Sequence, residues 1–258
     1  MSIPRYHKKV IFASSLGTAF EWYDFYLYGT LAGILGQHFL SGYNPTADFI
    51  VTLMLFAVGF VVRPFGALFF GRLGDMVRRK HTFLVTILIM GLSTFIIGLL
   101  PTYDAIGVAA PILLIALRML QGLALGGEYG GAVTYVAEHA PPDQRGRYTG
   151  WIQVTASLGL LLSLLVTNGI RWLIGEEAFF AWGWRIPFLA SMLLLGFSIW
   201  LRLQLDESPL FVQLKADGLV TSQPLRDSFA DGANLKKVLS VMFGLCAGQG
   251  VIWYTSHF

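Results

Sequence analysis

Seven long apolar stretches, separated by short polar segments, dominate the pattern of hydrophobic and polar positions along the chain. They cover roughly residues 10–35, 49–70, 82–100, 109–137, 150–174, 185–205 and 238–258. Each is close to the ~20 residues that a helix needs to cross about 30 Å of hydrocarbon. The pattern predicts an all-α membrane protein with seven transmembrane helices.

Composition supports this class. Hydrophobic residues make up 55% and charged residues 13% of the chain, whereas a soluble domain carries about 25% charged residues. The mean hydropathy is +0.63. Cys246 is the one cysteine, which excludes an intrachain disulfide. The pI near 9.0 comes from basic residues in short loops, so we expect no nucleic-acid partner.

The basic residues lie in alternate loops, at the N terminus and after the second, fourth and sixth stretches. They are Arg5, Lys8, Lys9, Arg72, Arg78, Arg79, Lys80, Arg145, Arg147, Arg202, Lys215, Arg226, Lys236 and Lys237. The other loops hold only Arg171 and Arg185, beside Glu176 and Glu177. The positive-inside rule therefore predicts a cytoplasmic N terminus.

The spacing of the stretches predicts three parts. Residues 1–205 hold six helices, 206–237 form a polar cytoplasmic linker, and 238–258 form a seventh helix. The linker sequence predicts short helices at Ser208–Asp217 and Leu225–Ala230. The chain stops in apolar sequence, from which we expect a truncated protein that cannot transport alone and needs a missing C-terminal half or a second copy.

Two carboxylates, Glu21 and Asp24, stand inside the first stretch. Their i, i+3 spacing places them on one side of a helix. Ionised groups at this depth cost several kcal/mol each unless they face a partner or a water-filled cavity. The pair indicates a protein that handles protons or charged solutes.

Arg118 lies about nine residues into the fourth stretch, roughly 13 Å deep at 1.5 Å per residue. A buried arginine needs an acid or carbonyl groups, and either Glu21 or Asp24 lies at a comparable depth. The alternative is a bridge that only holds helices together. Glu128, on the same stretch, has Arg63 of the second stretch as a candidate partner.

Glycines follow Arg118 at helical spacing. Gly122, Gly126 and Gly130 form one stripe, and Gly127 and Gly131 form another. Stripes of this kind let helix backbones approach closely. A phosphate-binding loop is excluded because no Lys-Ser or Lys-Thr follows and the segment lies in mid-span.

The loop after the second stretch reads G-R-L-G-D-M-V-R-R-K, from Gly71 to Lys80. On charge alone it is an ordinary positive loop. Its spacing resembles the signature loop of the major facilitator superfamily, which also lies between helices 2 and 3. The resemblance implies a cytoplasmic latch formed by Gly71, Asp75 and Arg79. Glu138 and Arg145 resemble the charge cluster that belongs to the same latch.

Further motifs narrow the resemblance. Arg118 followed by Gln121 and Gly122 resembles the helix 4 motif of the superfamily. E-W-Y-D-F-Y-L-Y-G, G-G-E-Y-G-G-A, G-W-R-I-P-F and D-E-S-P-L-F then occur in order. Together they resemble the metabolite:proton symporters, which include permeases for proline and betaine, shikimate, α-ketoglutarate and citrate. The resemblance implies a six-helix N-terminal bundle plus helix 7, in the plasma membrane (the bacterial inner membrane).

The mechanism implied is alternating access, with uptake of a small organic acid or zwitterion together with protons. Asp24, Glu21 and Arg118 are the expected proton-coupling residues. The expected substrate-binding residues are Tyr26, Tyr28, Gln121 and Arg118. Trp22 and the other aromatic residues are expected to pack. The partners are the small-molecule substrate, protons and the lipid bilayer. No cofactor is expected, and the histidines lack ligand-like spacing, so no metal site is expected.

Other classes remain open to different degrees. An enzyme is not expected because no nucleophile–base pair or metal motif appears. A membrane scaffold or receptor, a non-transporting half-length chain, and a proton-coupled drug exporter are the alternatives. The helix 1 and helix 6 motifs favour uptake over export. The identity of the substrate is not predicted.

Overall fold

The computed structural model describes residues 5–40, 45–76, 79–204, 207–218 and 224–257, and these are helical almost throughout, with no strand among them. The helices are α1 Arg5–Thr30, α2 Ala32–Phe39, α3 Pro45–Val61, α4 Arg63–Met76, α5 Arg79–Leu99, α6 Tyr103–Ile106, α7 Ala109–His139, α8 Arg145–Ile174, α9 Glu176–Ala178, α10 Arg185–Leu203, α11 Pro209–Ala216, α12 Pro224–Phe229, α13 Gly232–Val241 and α14 Ala247–His257. π-Helical turns occupy Phe179–Gly183 and Met242–Cys246. The predicted all-α class is confirmed.

Within the described ranges, five helical stretches are long and apolar enough to cross a membrane. They are Ile50–Met76, Lys80–Leu99, Ala109–His139, Arg145–Ile174 and Arg185–Leu203. They confirm the second to sixth predicted spans. The first predicted span is helical in α1 and α2 and the last in α13 and α14. The helices predicted in the linker are confirmed as α11 and α12, while the boundaries of the three parts stay a prediction.

The long helices form one bundle. α1 packs against α8, α10 and α7, while α5 packs against α10 and α7, and α4 against α7. Aromatic side chains fill much of the interior between them. The Tyr23 hydroxyl of α1 donates to the Pro187 carbonyl of α10 at 2.9 Å. Lys80 at the start of α5 donates to the Leu203 carbonyl, also at 2.9 Å. These contacts fix α10 against both neighbours.

The second span is divided at Val62, between α3 and α4. Pro64 explains the break, because a proline inside a helix removes one amide donor and its ring clashes with the preceding turn. Arg63 therefore begins a new helix segment. The break decides where its side chain lies relative to α1.

Glycines set the crossing of α4 and the end of α3 with α7. A Cβ added at Gly126 would lie 2.2 Å from the Arg63 carbonyl oxygen, and one at Gly122 would lie 2.2 Å from the Gly59 carbonyl oxygen. Gly127 and Gly131 instead face the rings of Phe70 and Phe83. The predicted close approach of helix backbones is therefore confirmed at Gly122 and Gly126, whereas Gly127 and Gly131 pack against side-chain rings. The prediction is wrong at Gly130, where a Cβ would meet nothing within 4 Å.

This difference gives a matched test of packing. Gly126→Ala is expected to lower the free energy of unfolding by about 1–3 kcal/mol, because backbone atoms cannot move aside as a flexible side chain does. Gly130→Ala, one turn away, is expected to be neutral or to stabilise by up to about 1 kcal/mol through helix propensity. Thermal unfolding of the purified protein in detergent measures both. Equal effects at the two positions would show that the α4–α7 contact is looser than described.

Candidate functional site

A cavity of about 490 Å³ opens between α1, α4, α7 and α8, with Cys246 and Gly250 of the last predicted span on its wall. Its lining is mostly apolar. The residues with functional chemistry are Trp22, Phe60, Arg63, Tyr129 and Gln153. A mostly apolar pocket with a few convergent polar groups is typical of a small-molecule site.

Arg63 is held at the cavity wall by aromatic rings. Its guanidinium carbon lies 4.2 Å from the ring centroid of Phe60, 4.3 Å from that of Phe25 and 5.5 Å from that of Trp22. Such cation–π contacts stabilise a guanidinium without neutralising its charge. Across the cavity wall, the Tyr129 hydroxyl donates to Gln153 Oε1. Through its described lining residues, the cavity thus presents one cation, aromatic faces and a polar pair.

A hydrogen-bonded network lies deeper in the bundle. Arg118 is fully buried, and its Nη1 donates to Gln121 Oε1 at 2.7 Å. Gln121 Nε2 donates to the Thr94 hydroxyl oxygen at 2.7 Å. The Thr94 hydroxyl donates to the Met90 carbonyl at 2.9 Å and also lies against the buried Asp24 carboxyl. The hydrogen bonds therefore run from Arg118 to Thr94 across two helices, and the Asp24 carboxyl of a third helix lies beside Thr94.

Phe25 connects this network to the cavity. Its ring centroid lies 4.3 Å from the guanidinium carbon of Arg63 and 4.8 Å from that of Arg118. Arg118 also lies 4.2 Å from the ring centroid of Tyr28, whose hydroxyl donates to the Thr52 carbonyl. The two arginines repel each other electrostatically.

The contacts of Arg118 differ from the direct ion pair that was expected with an acid of the first helix. Among the described residues, Arg118 reaches Asp24 through Gln121 and Thr94, and the cation beside Glu21 is Arg202. The reason is the packing of α10 against α1. A Cβ at Gly17 would lie 3.1 Å from Arg202 Nε, so the glycine leaves room for this side chain to enter the bundle.

Arg202 also replaces Arg63 as the partner of Glu128. Arg202 Nη2 contacts Glu128 Oε1, and the Thr86 hydroxyl donates to Glu128 Oε2 at 2.6 Å. The sequence prediction missed Arg202 because it counted this residue among the basic loop residues. The signal that would have identified it is its place between Leu201 and Leu203, inside the apolar stretch.

The expected substrate residues lie around the cavity rather than on its wall. Tyr26, Tyr28, Gln121 and Arg118 are all buried and none is among the described lining residues. Tyr26 stacks on Trp22 with ring centroids 5.5 Å apart. Trp22, which was expected to pack, lines the cavity. The roles of the four residues in substrate binding stay predictions.

The predicted latch residues lie at one end of the bundle. Gly71 and Asp75 of α4 line a second cavity of about 200 Å³. Glu138 lies in the last turn of α7 and Arg145 at the start of α8. Arg79 begins α5, and its side chain lies outside the described part. The structure thus brings these segments together, while the latch itself stays a prediction.

Comparison with known proteins identifies the family. Residues 9–232 match the family described as "Sugar (and other) transporter". The chain is 46% identical over 206 residues to the glycine betaine/proline/ectoine/pipecolic acid transporter OusA of Dickeya dadantii, covering 80% of this chain and 41% of the relative. It is 40% identical over 207 residues to the shikimate transporter of Escherichia coli, covering 80% and 47%. The chain thus spans about half the length of these relatives or less.

Solved structures show the same fold. The partially occluded inward-open conformation of the xylose transporter XylE from Escherichia coli superposes with a TM-score of 0.73 at 19% identity. The match covers 96% of this chain and 61% of XylE. The family match and the sequence relatives confirm the motif-based resemblance, and the solved structures show the fold. The chain belongs to the sugar (and other) transporter family, within the major facilitator superfamily.

Proposed function

We propose that this chain belongs to a proton-coupled symporter that takes up a small carboxylate-bearing or zwitterionic metabolite by alternating access. The observation that carries the proposal is the connection between a cavity and a buried acid. Arg63 lies on the cavity wall, and Phe25, Arg118, Gln121 and Thr94 link it to Asp24. The activity proposed is that of the whole transporter, because this chain covers only about half the length of its relatives or less.

The chemistry of the cavity supports a zwitterionic substrate. A guanidinium binds a carboxylate through paired, charge-assisted hydrogen bonds. Aromatic faces attract an ammonium group, and quaternary ammonium ligands are a common case. Arg63 supplies the first feature, while Trp22, Phe60 and Tyr129 supply the second. Proline and glycine betaine, which the name of one relative includes, carry both groups.

The coupling follows from charge. When a carboxylate binds at Arg63, it neutralises part of the positive potential that Arg63 and Arg118 exert on the network. A lower positive potential favours proton binding at the Asp24 carboxyl. Substrate and proton are then bound together, which is the requirement for symport. Asp24 thus acts as the proton carrier, and Arg118 with Gln121 and Thr94 transmits the change.

Two further parts of the account stay predictions. The cytoplasmic N terminus is supported by the basic residues at the ends of α4, α5 and α8. The latch formed by Asp75, Arg79, Glu138 and Arg145 is supported by the resemblance of these motifs to the superfamily. Under both predictions, the second cavity, which lies beside Asp75, belongs to the cytoplasmic end of the bundle.

Arg63→Gln tests the substrate site. Loss of a hydrogen bond to a charged group costs about 1.5–3 kcal/mol, and every 1.4 kcal/mol is about tenfold in affinity. We therefore expect binding of proline and glycine betaine to weaken about 10–100-fold. Arg72→Gln is the matched control, because Arg72 is exposed on the same helix and its Nε donates to Met76 Sδ.

The measurement is equilibrium binding of radiolabelled proline and glycine betaine to the purified transporter. Unchanged binding in Arg72→Gln and a large loss in Arg63→Gln are the expected results. Equal affinities in the wild type and Arg63→Gln would remove Arg63 from the substrate site and contradict the proposed cavity.

A further inference from the structure

A second group of buried charges lies outside the network that leads to Asp24. Glu21 of α1, Glu128 of α7 and Arg202 of α10 meet in the interior, with exposed fractions of 4%, 1% and 1%. Thr86 of α5 completes the group by donating to Glu128 at 2.6 Å. The Phe83 ring covers the guanidinium, whose central carbon lies 4.8 Å from the ring centroid. Four helices therefore enclose two carboxyl groups and one cation.

The charges in this group do not balance when both carboxyl groups are ionised. One guanidinium then faces two carboxylates, which leaves a net charge of −1 in the interior. An uncompensated buried charge costs several kcal/mol. Either a second cation or a bound proton must offset it.

Glu128 makes the close contact with Arg202, and within the described part of the chain no donor reaches Glu21. Arg202 Nη2 contacts Glu128 Oε1 directly but lies 3.8 Å from Glu21 Oε1, which is beyond hydrogen-bond distance. Neither oxygen of Glu21 accepts a hydrogen bond from a described residue. Glu21 is therefore a buried acid whose hydrogen-bonding capacity is unused.

Among the described residues, the surroundings of Glu21 offer one acid in hydrogen-bonding position and no cation besides Arg202. The Glu21 carboxyl faces the Glu128 carboxyl, and the charged groups that act on it are Glu128, Arg202 and Asp24. From α5 the facing group is the Thr86 hydroxyl, and the buried polar side chains of α8 are hydroxyl groups. Two carboxyl groups in contact cannot both ionise without a large cost, as in the paired carboxylates of aspartic proteases.

We propose that Glu21 and Glu128 hold one proton between them beside Arg202, forming a proton-binding site separate from Asp24. With the proton bound, the cluster is neutral and Glu21 gains the hydrogen bond that it lacks. Release of the proton leaves the cluster with a charge of −1. This proposal does not depend on which substrate is transported. It holds whether or not Asp24 carries the transported proton.

The second cavity provides a route to this site. Its lining runs from Asp75 at the end of α4 to Thr82 and Phe83 of α5. Phe83 is the ring that covers Arg202, and Thr86 lies one turn further along the same helix. A proton entering this cavity from the Asp75 end therefore meets the cluster, with the Phe83 ring as the barrier between them.

Infrared spectroscopy of the purified chain tests the proposal without any transport assay. The carbonyl stretch of a protonated carboxyl group appears above the amide bands and shifts on deuteration. In Asp24→Asn, which removes the contribution of Asp24, we expect the band of one protonated carboxyl group to remain at neutral pH. Adding Glu21→Gln or Glu128→Gln to this variant is expected to remove it, because one carboxylate then balances the charge of Arg202.

Glu177→Gln in the same Asp24→Asn background is the matched control, because Glu177 is exposed, and the band is expected to persist. Absence of the band in Asp24→Asn at neutral pH would overturn the proposal. Persistence of the band in Glu128→Gln would show that Glu21 is protonated independently of Glu128, and would also overturn it. If the glutamine variants fail to fold, titration of Asp24→Asn decides, with a one-proton transition expected and a band-free spectrum at neutral pH contradicting the site.

Discussion

Replacing Arg202 by methionine is expected to lower the free energy of unfolding by about 3–5 kcal/mol, because removal of one partner leaves a buried charge without compensation. Arg202 is the cation shared by Glu21 and Glu128, and all three side chains are buried. Methionine keeps much of the volume, so the loss reports on charge rather than on a cavity. Thermal or denaturant unfolding of the purified chain in detergent measures the change.

Two further variants separate this effect from a general sensitivity of the fold. Arg147→Met changes an exposed arginine at the start of α8, and surface changes of this kind usually stay within about 0.5 kcal/mol. The triple variant Arg202→Met, Glu21→Gln, Glu128→Gln removes the whole group of charges. It is expected to recover much of the lost stability, since replacing a complete buried ion group is often neutral. If the triple variant were as unstable as Arg202→Met, charge would not be the cause.

The fold was predictable because each feature behind it is local in the sequence. Apolar runs of membrane length define the spans, and Glu21, Asp24 and Arg118 stand out as charges inside such runs. Gly122 and Gly126 mark a close crossing by their spacing alone. The motif at Gly71–Lys80 then indicates the superfamily. These inferences need no knowledge of which helix lies beside which.

The site was only partly predictable because it depends on how the helices are rotated and paired. Arg202 stands at the end of its span, and only the packing of α10 beside Gly17 shows that it turns inward. Arg63 was one candidate partner for Glu128, but the break at Val62 places it among Phe25, Phe60 and Trp22 instead. The link from Arg118 to Asp24 passes through Thr94, a residue whose sequence position carries no signal.

Asp24→Asn is expected to abolish concentrative uptake while leaving substrate exchange. An asparagine keeps the size and a hydrogen-bonding oxygen beside Thr94 but cannot gain or lose the proton that symport requires. Without a proton carrier, a gradient no longer drives accumulation, although the cavity at Arg63 and Trp22 is unchanged. Asp104→Asn is the matched control, because Asp104 is exposed in the short helix α6.

The most direct measurement is accumulation of radiolabelled proline or glycine betaine by the whole transporter, reconstituted in vesicles under an imposed proton gradient. We expect gradient-driven accumulation in the wild type and in Asp104→Asn, and none in Asp24→Asn, which still exchanges internal for external substrate. Normal gradient-driven accumulation in Asp24→Asn would contradict the account. Asp24 would then be a structural partner of Thr94, and Glu21 would become the leading candidate for the proton carrier.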